Sequence, residues 1–490
     1  MVKILKNHIG RNVFYIKAAT CRNEYLILLA IIIFSLLFHL IGCFYLYDFT
    51  NDEGGWLINA KNKVLFNTFS LEGVYYTALS PLNTFLYVPI FKIFGPSILV
   101  SRYISIIFSI ATLVLFFSFV KKQYTLKIAV FAAFVIVVNS VYNRITTFGY
   151  LESKIHFFEI LTLLFCFSSK QWLRRLSFLP FSFCLGFKPN SIYFTIPVLY
   201  ALSIDVKEKT SHALTPYRKS IVNIVIFLLS TSLITGIFFY LAYIFDPLHF
   251  VSWGLKTHIS GRFNIYAILK DPLRNGLLPS LWYFFIRAPV TSLCFLWGVV
   301  TAIRERRKTS IDIFLLLWIF SEICFYAFQP FLPERYILDL MFPFSIFFAK
   351  AILKTASDKN LLYTLKPYLS ALIIILIAII QIVGSFYFFL ILKPERPAIE
   401  VSRWLIKEGS RYETVLAPPQ VAIGLPKKSL VTSNHLTIKD LLSSNEIKYP
   451  LLCILQKTAA INHPEDDIFL KDNGKFIKRI GYFWIYEILN

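Results

Sequence analysis

Long apolar blocks alternate with short polar links along most of the chain. The blocks fall at 25–46, 97–120, 127–145, 151–168, 176–204, 221–244, 280–302, 311–328, 336–354 and 368–392. Most have the roughly 15–25 residues that cross about 30 Å of hydrocarbon as a helix. The run 176–204 is interrupted by Lys188-Pro189-Asn190, which predicts two short helices with Lys188 at the turn between them. One more apolar segment, 80–95, is short and holds Pro81 and Pro89. It predicts a helix lying along the membrane surface. The pattern is that of an all-α polytopic membrane protein with about 11 transmembrane helices. A β-barrel would need short alternating strands instead.

The polar links divide by charge. The tail 1–24 carries Lys3, Lys6, Arg11, Lys17 and Arg22, and "KKQYTLK", "KQWLRR", "RERRK" and "KTASDKN" follow at later links. Lys and Arg mark cytoplasmic loops. Threading from a cytoplasmic N-terminus places the loop 47–96, "FGYLESK" (148–154), the turn at Lys188, the segment 245–279 and "QPFLPERY" on the opposite, extracytoplasmic face. An odd number of crossings leaves the C-terminus there too. The first apolar run is long enough to remain as an anchor, and no cleavable signal peptide is expected.

Residues 393–490 change character. They are polar, with a helix-like piece at 397–409 and strand-like pieces at 413–417, 450–456 and 480–488. This predicts a small extracytoplasmic α/β domain after a transmembrane domain at 25–392. No internal repeat or low-complexity tract stands out.

Composition fits this picture. Of 490 residues, 57% are hydrophobic and only 16% charged, against about a quarter charged in soluble domains. The net charge of +22 belongs to cytoplasmic loops. No basic stripe with interleaved aromatics stands outside the apolar runs, so nucleic acid is not an expected partner. The seven cysteines are scattered, mostly within apolar runs and without a C-x-x-C, as small core residues are.

Candidate chemistry comes from the threading. Asp48, Asp52, Glu53, Glu152, Lys188, Arg262 and Arg335 all fall on the extracytoplasmic face. Polar groups beside a membrane core are costly unless solvated or paired, so several on one face can line a common site. Each also has a structural reading. The acid pair fits a solvated helix N-terminus, and "GWLINAKNKVLF" (55–66) reads as an amphipathic surface helix. Lys188 can snorkel, and Arg335 can anchor at the interface. As a set they make chemical sense: one carboxylate deprotonates an acceptor, and cations hold a phosphate leaving group and stabilise its growing charge.

The order of several motifs resembles the GT-C superfamily of membrane glycosyltransferases, in particular the branch of protein O-mannosyltransferases and lipid A aminoarabinose transferases. The motifs are Asp52-Glu53 after the first helix, "YYTALSPLNTFLYVPIFKIFGPSILVSRYIS", "GYLESKIHFFEILTLLF", "GFKPNSIYFTIPVL", "HISGRF" and "PERYILDLMFP". The resemblance implies inverting transfer of a sugar from a polyprenyl-phosphate donor on the extracytoplasmic face, to a lipid, glycan or protein acceptor. It makes Asp52 the base, with Glu53 and Glu152 as supporting acids. Lys188, Arg262, Arg335 and Tyr336 would contact the donor phosphate. It makes no cofactor certain, and a divalent cation beside Glu152 is left open. The sequence departs from the family at Leu79-Ser80-Pro81, where some relatives carry an acid-Lys pair, at Glu152 in place of Asp, and at Lys188-Pro189 in place of Lys-Gly. The alternative is a transporter or flippase for lipid-linked glycans. Transporters tend to show repeats and polar sites near the midplane, whereas these acids sit at the boundary.

Overall fold

The computed structural model describes residues 24–69, 80–204, 215–245, 289–305, 308–327, 334–357, 379, 396–412, 414–425, 429–431, 438–443, 449–456 and 464–488. Arg262 and nearly all of the expected crossing 368–392 lie outside them.

The helices run in chain order: α1 (Glu24–Leu46), α2 (Asn51–Phe66), α3 (Pro81–Phe94), α4 (Ile98–Gln123), α5 (Leu126–Val138), α6 (Ser140–Thr147), α7 (Glu152–Cys166), α8 (Gln171–Arg175), α9 (Phe178–Phe187), α10 (Thr195–Ser203), α11 (Thr215–Phe245), α12 (Pro289–Arg304), α13 (Ser310–Ala327) and α14 (Met341–Ser357). A 3-10 turn, Glu334–Leu340, leads into α14. Among the described residues, five helices are long and apolar enough to cross a membrane, or six if α5 and α6 count as one bent span. The chain is a mostly helical, multi-pass membrane protein.

Two expected helices are corrected. The segment 127–145 is broken by a 68° bend. Asn139 sits at the break and accepts from Tyr142 N at 2.9 Å, capping α6, while Asn143 Nδ2 donates back to Val137 O. Short polar side chains of this kind offer the backbone an alternative to continuing the helix. The second correction is α2. It is not a surface helix, because Leu57, Ile58, Ala60, Lys61 and Asn62 are all buried. The segment 80–95 does form a separate short helix, α3, of 14 residues. At 1.5 Å per residue it reaches about 20 Å and cannot cross. It packs on α2, where Asn83 Nδ2 donates to Trp56 O at 2.9 Å.

What covers α2 is the C-terminal domain. It holds helices α15 (Pro397–Glu408), α16 (Pro419–Ala422), α17 (Ile438–Ser443) and α18 (Pro464–Asn473). Its strands are β1 (Thr414–Ala417), β2 (Ser429–Val431), β3 (Leu451–Gln456), β4 (Gly474–Ile480) and β5 (Phe483–Ile488). They form one sheet in the order β2-β1-β3-β5-β4. The first three strands are parallel, and β5 runs antiparallel to β3 and β4. The strand-like stretch 480–488 is therefore a turn and one strand of a hairpin, turned at Gly481 with φ +55°, a conformation that glycine adopts without strain.

Side chains alternate across the sheet. Leu451, Cys453 and Tyr486 face α17 and α18, whereas Leu452, Ile454, Phe483 and Ile485 join one hydrophobic cluster with Leu57, Ile58, Tyr87 and Phe91. The C-terminal domain thus shares its core with α2 and α3. Close approach is required at Gly54, where a Cβ would lie 2.2 Å from the backbone of Pro419 and Gln420. Lys61 Nζ donates to Ala422 O at the end of α16. Asp48 accepts from Ala398 N at 2.9 Å and Ile399 N at 3.1 Å, at the start of α15.

Candidate active site

The loop after α1 enters α2 through a capping box. Glu53 N donates to Thr50 Oγ1 at 3.3 Å, and Thr50 N donates to Glu53 Oε2 at 3.0 Å. The pairing satisfies two otherwise free amides and fixes the first turn. Adjacent residues on a helix point about 100° apart, and the two acids accordingly have different fates.

Glu53 points inward and is fully buried. Arg102 on α4 holds it in a fork, Nε to Oε1 and Nη2 to Oε2, each 2.8 Å. Gly149 N adds a third bond at 2.8 Å. The same guanidinium donates to Tyr47 O at 2.9 Å and Asp48 O at 2.6 Å. Arg102 thereby ties the loop, α2 and α4 into one buried network. A carboxylate so fully engaged positions its neighbours.

Asp52 points the other way, with 36% of its side chain accessible. Arg335 Nη1 lies 2.6 Å from Asp52 Oδ2, and its Nε lies 3.7 Å from Glu152 Oε1. Lys188 donates to the same Glu152 oxygen at 3.1 Å. The Lys188 ammonium sits 3.7 Å above the Tyr336 ring, and the Arg335 guanidinium 4.9 Å from the Tyr150 ring. Two cations thus flank one buried acid, held over aromatic faces that favour positive charge. Lys188 reaches this place because the helix breaks: it terminates α9, and Pro189 starts a 3-10 turn. Glu152 opens α7.

Five of the seven candidate residues therefore meet: Asp52, Glu152, Lys188, Arg335 and Tyr336. Glu53 lies behind them, and Arg262 is outside the described residues. Glu152 is engaged by two cations, and among the described residues no group of His, Cys, Asp or Glu is placed to hold a metal ion.

Beneath this layer lie residues that the sequence reading passed over. Tyr193 donates to Glu159 Oε1 at 2.9 Å and also contacts Asp339, which pairs with His156. Glu322 is buried close by. Glu152, His156 and Glu159 stand at i, i+4 and i+7 on α7, one helix face, and that spacing was a legible signal. Arg102 carried a weaker one, as an arginine inside an apolar run.

No family model matches the sequence, and no curated protein matches it. Solved structures do. The chain is similar to ArnT from Cupriavidus metallidurans bound to undecaprenyl phosphate, at 10% identity and a TM-score of 0.66, over 94% of this chain and 97% of that one. The apo state of ArnT matches at 10% identity and a TM-score of 0.61, over 96% and 98%. The apo form of an oligosaccharyltransferase from Archaeoglobus fulgidus matches at 12% identity and 0.52, over 83% of this chain and 65% of that one. The likeness is one of fold: this chain has the mostly helical, polytopic membrane fold expected of the GT-C type, with a small C-terminal α/β domain.

Proposed function

We propose that the chain is an integral membrane glycosyltransferase that moves a sugar from a polyprenyl-phosphate donor to an acceptor on the extracytoplasmic face, with inversion. The observation that carries this reading is the contact between the partly exposed Asp52 and Arg335, beside the Lys188–Glu152 pair. A carboxylate able to accept a proton beside two cations able to hold a phosphate supports this reading. The ArnT neighbour binds undecaprenyl phosphate, a polyprenyl phosphate, which supports the donor class.

In this mechanism the donor phosphate exchanges into the field of Arg335 and Lys188, with Tyr336 beneath. Arg335 suits this role because its planar fork matches phosphate oxygens. The acceptor O–H gives its proton to Asp52 as its oxygen attacks the anomeric carbon from the face opposite the phosphate. The bond from the anomeric carbon to the phosphate oxygen breaks, and its electron pair leaves with the polyprenyl phosphate. The two cations meet the charge that grows there. Glu152 holds the cations apart and in place, and Glu53 holds the helix turn that carries Asp52. A phosphate leaves readily as an anion, so no strong general acid is needed.

The test is transfer from a radiolabelled polyprenyl-phosphate sugar in membranes, comparing the native chain with Asp52→Asn. Loss of transfer with normal membrane insertion is expected. Full activity in the variant would remove Asp52 from the base role. Movement of the labelled lipid across the bilayer without transfer would favour a flippase.

A further inference from the structure

A cavity of about 550 Å³ opens at the other end of the helical bundle, between the start of α5 and the ends of α12 and α14. Along the 3-10 turn and α14, Lys354 lies about 30 Å from Arg335, so this is not the candidate active site. Lys127, Lys350 and Lys354 line the cavity, together with a single acid, Glu305. Glu305 is shared, 3.6 Å from Lys350 and 3.4 Å from Lys354. Lys350 is also bound by Asp312 at 2.6 Å. Lys127 has no carboxylate partner among the described residues and is exposed. Lys354 is 61% accessible. The lining therefore has an excess of positive charge, presented at the rim.

The deeper wall is apolar and includes Ile128 and Phe347. Ala302 on α12 and Ala351 and Leu353 on α14 extend this apolar lining. A rim of lysines over an apolar wall, at the level where spanning helices end, matches a lipid with an anionic head. A soluble anion has no use for the apolar part.

We propose that this cavity binds the phosphodiester headgroup of an anionic phospholipid from the leaflet on the lysine-rich side. Lys127 and Lys354 would contact the phosphate, and Lys350, held by Asp312 and Glu305, would fix the geometry of the rim.

The test uses the full chain in detergent micelles doped with phosphatidylglycerol or phosphatidylcholine, read by native mass spectrometry and by thermal unfolding. The variant is Lys127→Gln with Lys354→Gln; neither side chain is buried. A control of equal charge, Lys407→Gln with Lys471→Gln, removes two exposed lysines from the C-terminal domain. Phosphatidylglycerol is expected to form an adduct and raise the unfolding midpoint of the native chain and the control. In the cavity variant its affinity should fall roughly 10-fold or more, each lysine near a membrane surface contributing a factor of about five. Equal adducts and equal shifts in all three proteins would overturn the proposal. So would a stabilisation by millimolar inorganic phosphate that matches the lipid's, because that result would make the cavity a site for soluble anions.

Discussion

The Arg335 guanidinium lies 2.6 Å from the Asp52 carboxylate, and this pair joins the first extramembrane helix to the penultimate expected crossing. Both partners keep some contact with solvent, at 17% and 36% of their side chains. In the proposed mechanism a phosphate arriving at Arg335 would leave the Asp52 oxygen free to accept a proton.

Asp52→Asn is expected to lower the rate of transfer by about 10²–10⁴-fold, the usual span for removing a general base. Asp52→Glu should keep part of the activity, since it keeps the carboxylate but moves it. Melting in detergent should change little for either, because the side chain is not part of the core. A rate within a factor of two of the native chain would exclude the base role.

Arg335→Lys and Lys188→Met address the donor phosphate. Hydrogen bonds to charged groups contribute about 1.5–3 kcal/mol, so kcat/KM should fall roughly 10–150-fold in each. The fall should appear on titrating the donor rather than the acceptor. If the donor KM and kcat are both unchanged in the two variants, the phosphate is held elsewhere.

Glu53→Gln and Arg102→Met separate the positioning acid from the base. Removing one partner of a buried, hydrogen-bonded ion pair costs about 3–5 kcal/mol. Both variants should unfold at lower temperature, unlike Asp52→Asn. The double variant should be less destabilised than the sum of the singles, because no uncompensated charge remains. Thermal unfolding of the purified chains reads this directly, and strict additivity would argue against the pair.

Lys61 provides a pH signature at the contact with the C-terminal domain. Burial pushes its ammonium down to about 7, from an ordinary 10.5. Between these values the unfolded chain binds the proton more tightly, so Lys61 makes stability rise with pH from about 7 toward 10. Over that window the gain is roughly 1 kcal/mol per pH unit. Lys61→Met lacks this dependence. The difference in unfolding midpoint between variant and native chain, measured at pH 7.5 and 8.5, should therefore shift in favour of the native chain at the higher pH. A constant difference would show that Lys61 does not titrate there.

The sidedness of the membrane domain is open to reporter fusions. A reporter joined after Lys122 should read cytoplasmic, and one after Glu53 external. The structure puts the two ends of α4 at opposite ends of a 26-residue helix, so both reporters on one side would break the threading.

Much of this was legible in the chain. Apolar length points to the spanning helices, since hydrocarbon admits no unpaired backbone and the bilayer sets their size, and among the described residues five of the expected crossings, or six with the bent pair, have that length. The interruption at Lys188 locates a break that the structure keeps. Four side chains named from that threading, Asp52, Glu152, Lys188 and Arg335, do stand together, and Tyr336, named from the resemblance, joins them. The bend at Asn139 was less legible, because the run around it is apolar and only local side-chain bonds interrupt it.

Sequence also placed two acids side by side, but it could not tell them apart. On a helix their directions differ by about 100°, and only the packed neighbours determine what each direction means. Arg102 and Gly149 N close around Glu53, whereas Arg335 and solvent meet Asp52. The polar face of α2 likewise reads as a surface until the C-terminal sheet is folded over it. Local pattern determined which segments are helices and which end each charge occupies, because those follow from short-range sterics and from the membrane as solvent. Which acid is exposed and which is locked away, and what covers α2, are long-range contacts, and those only the tertiary structure decided.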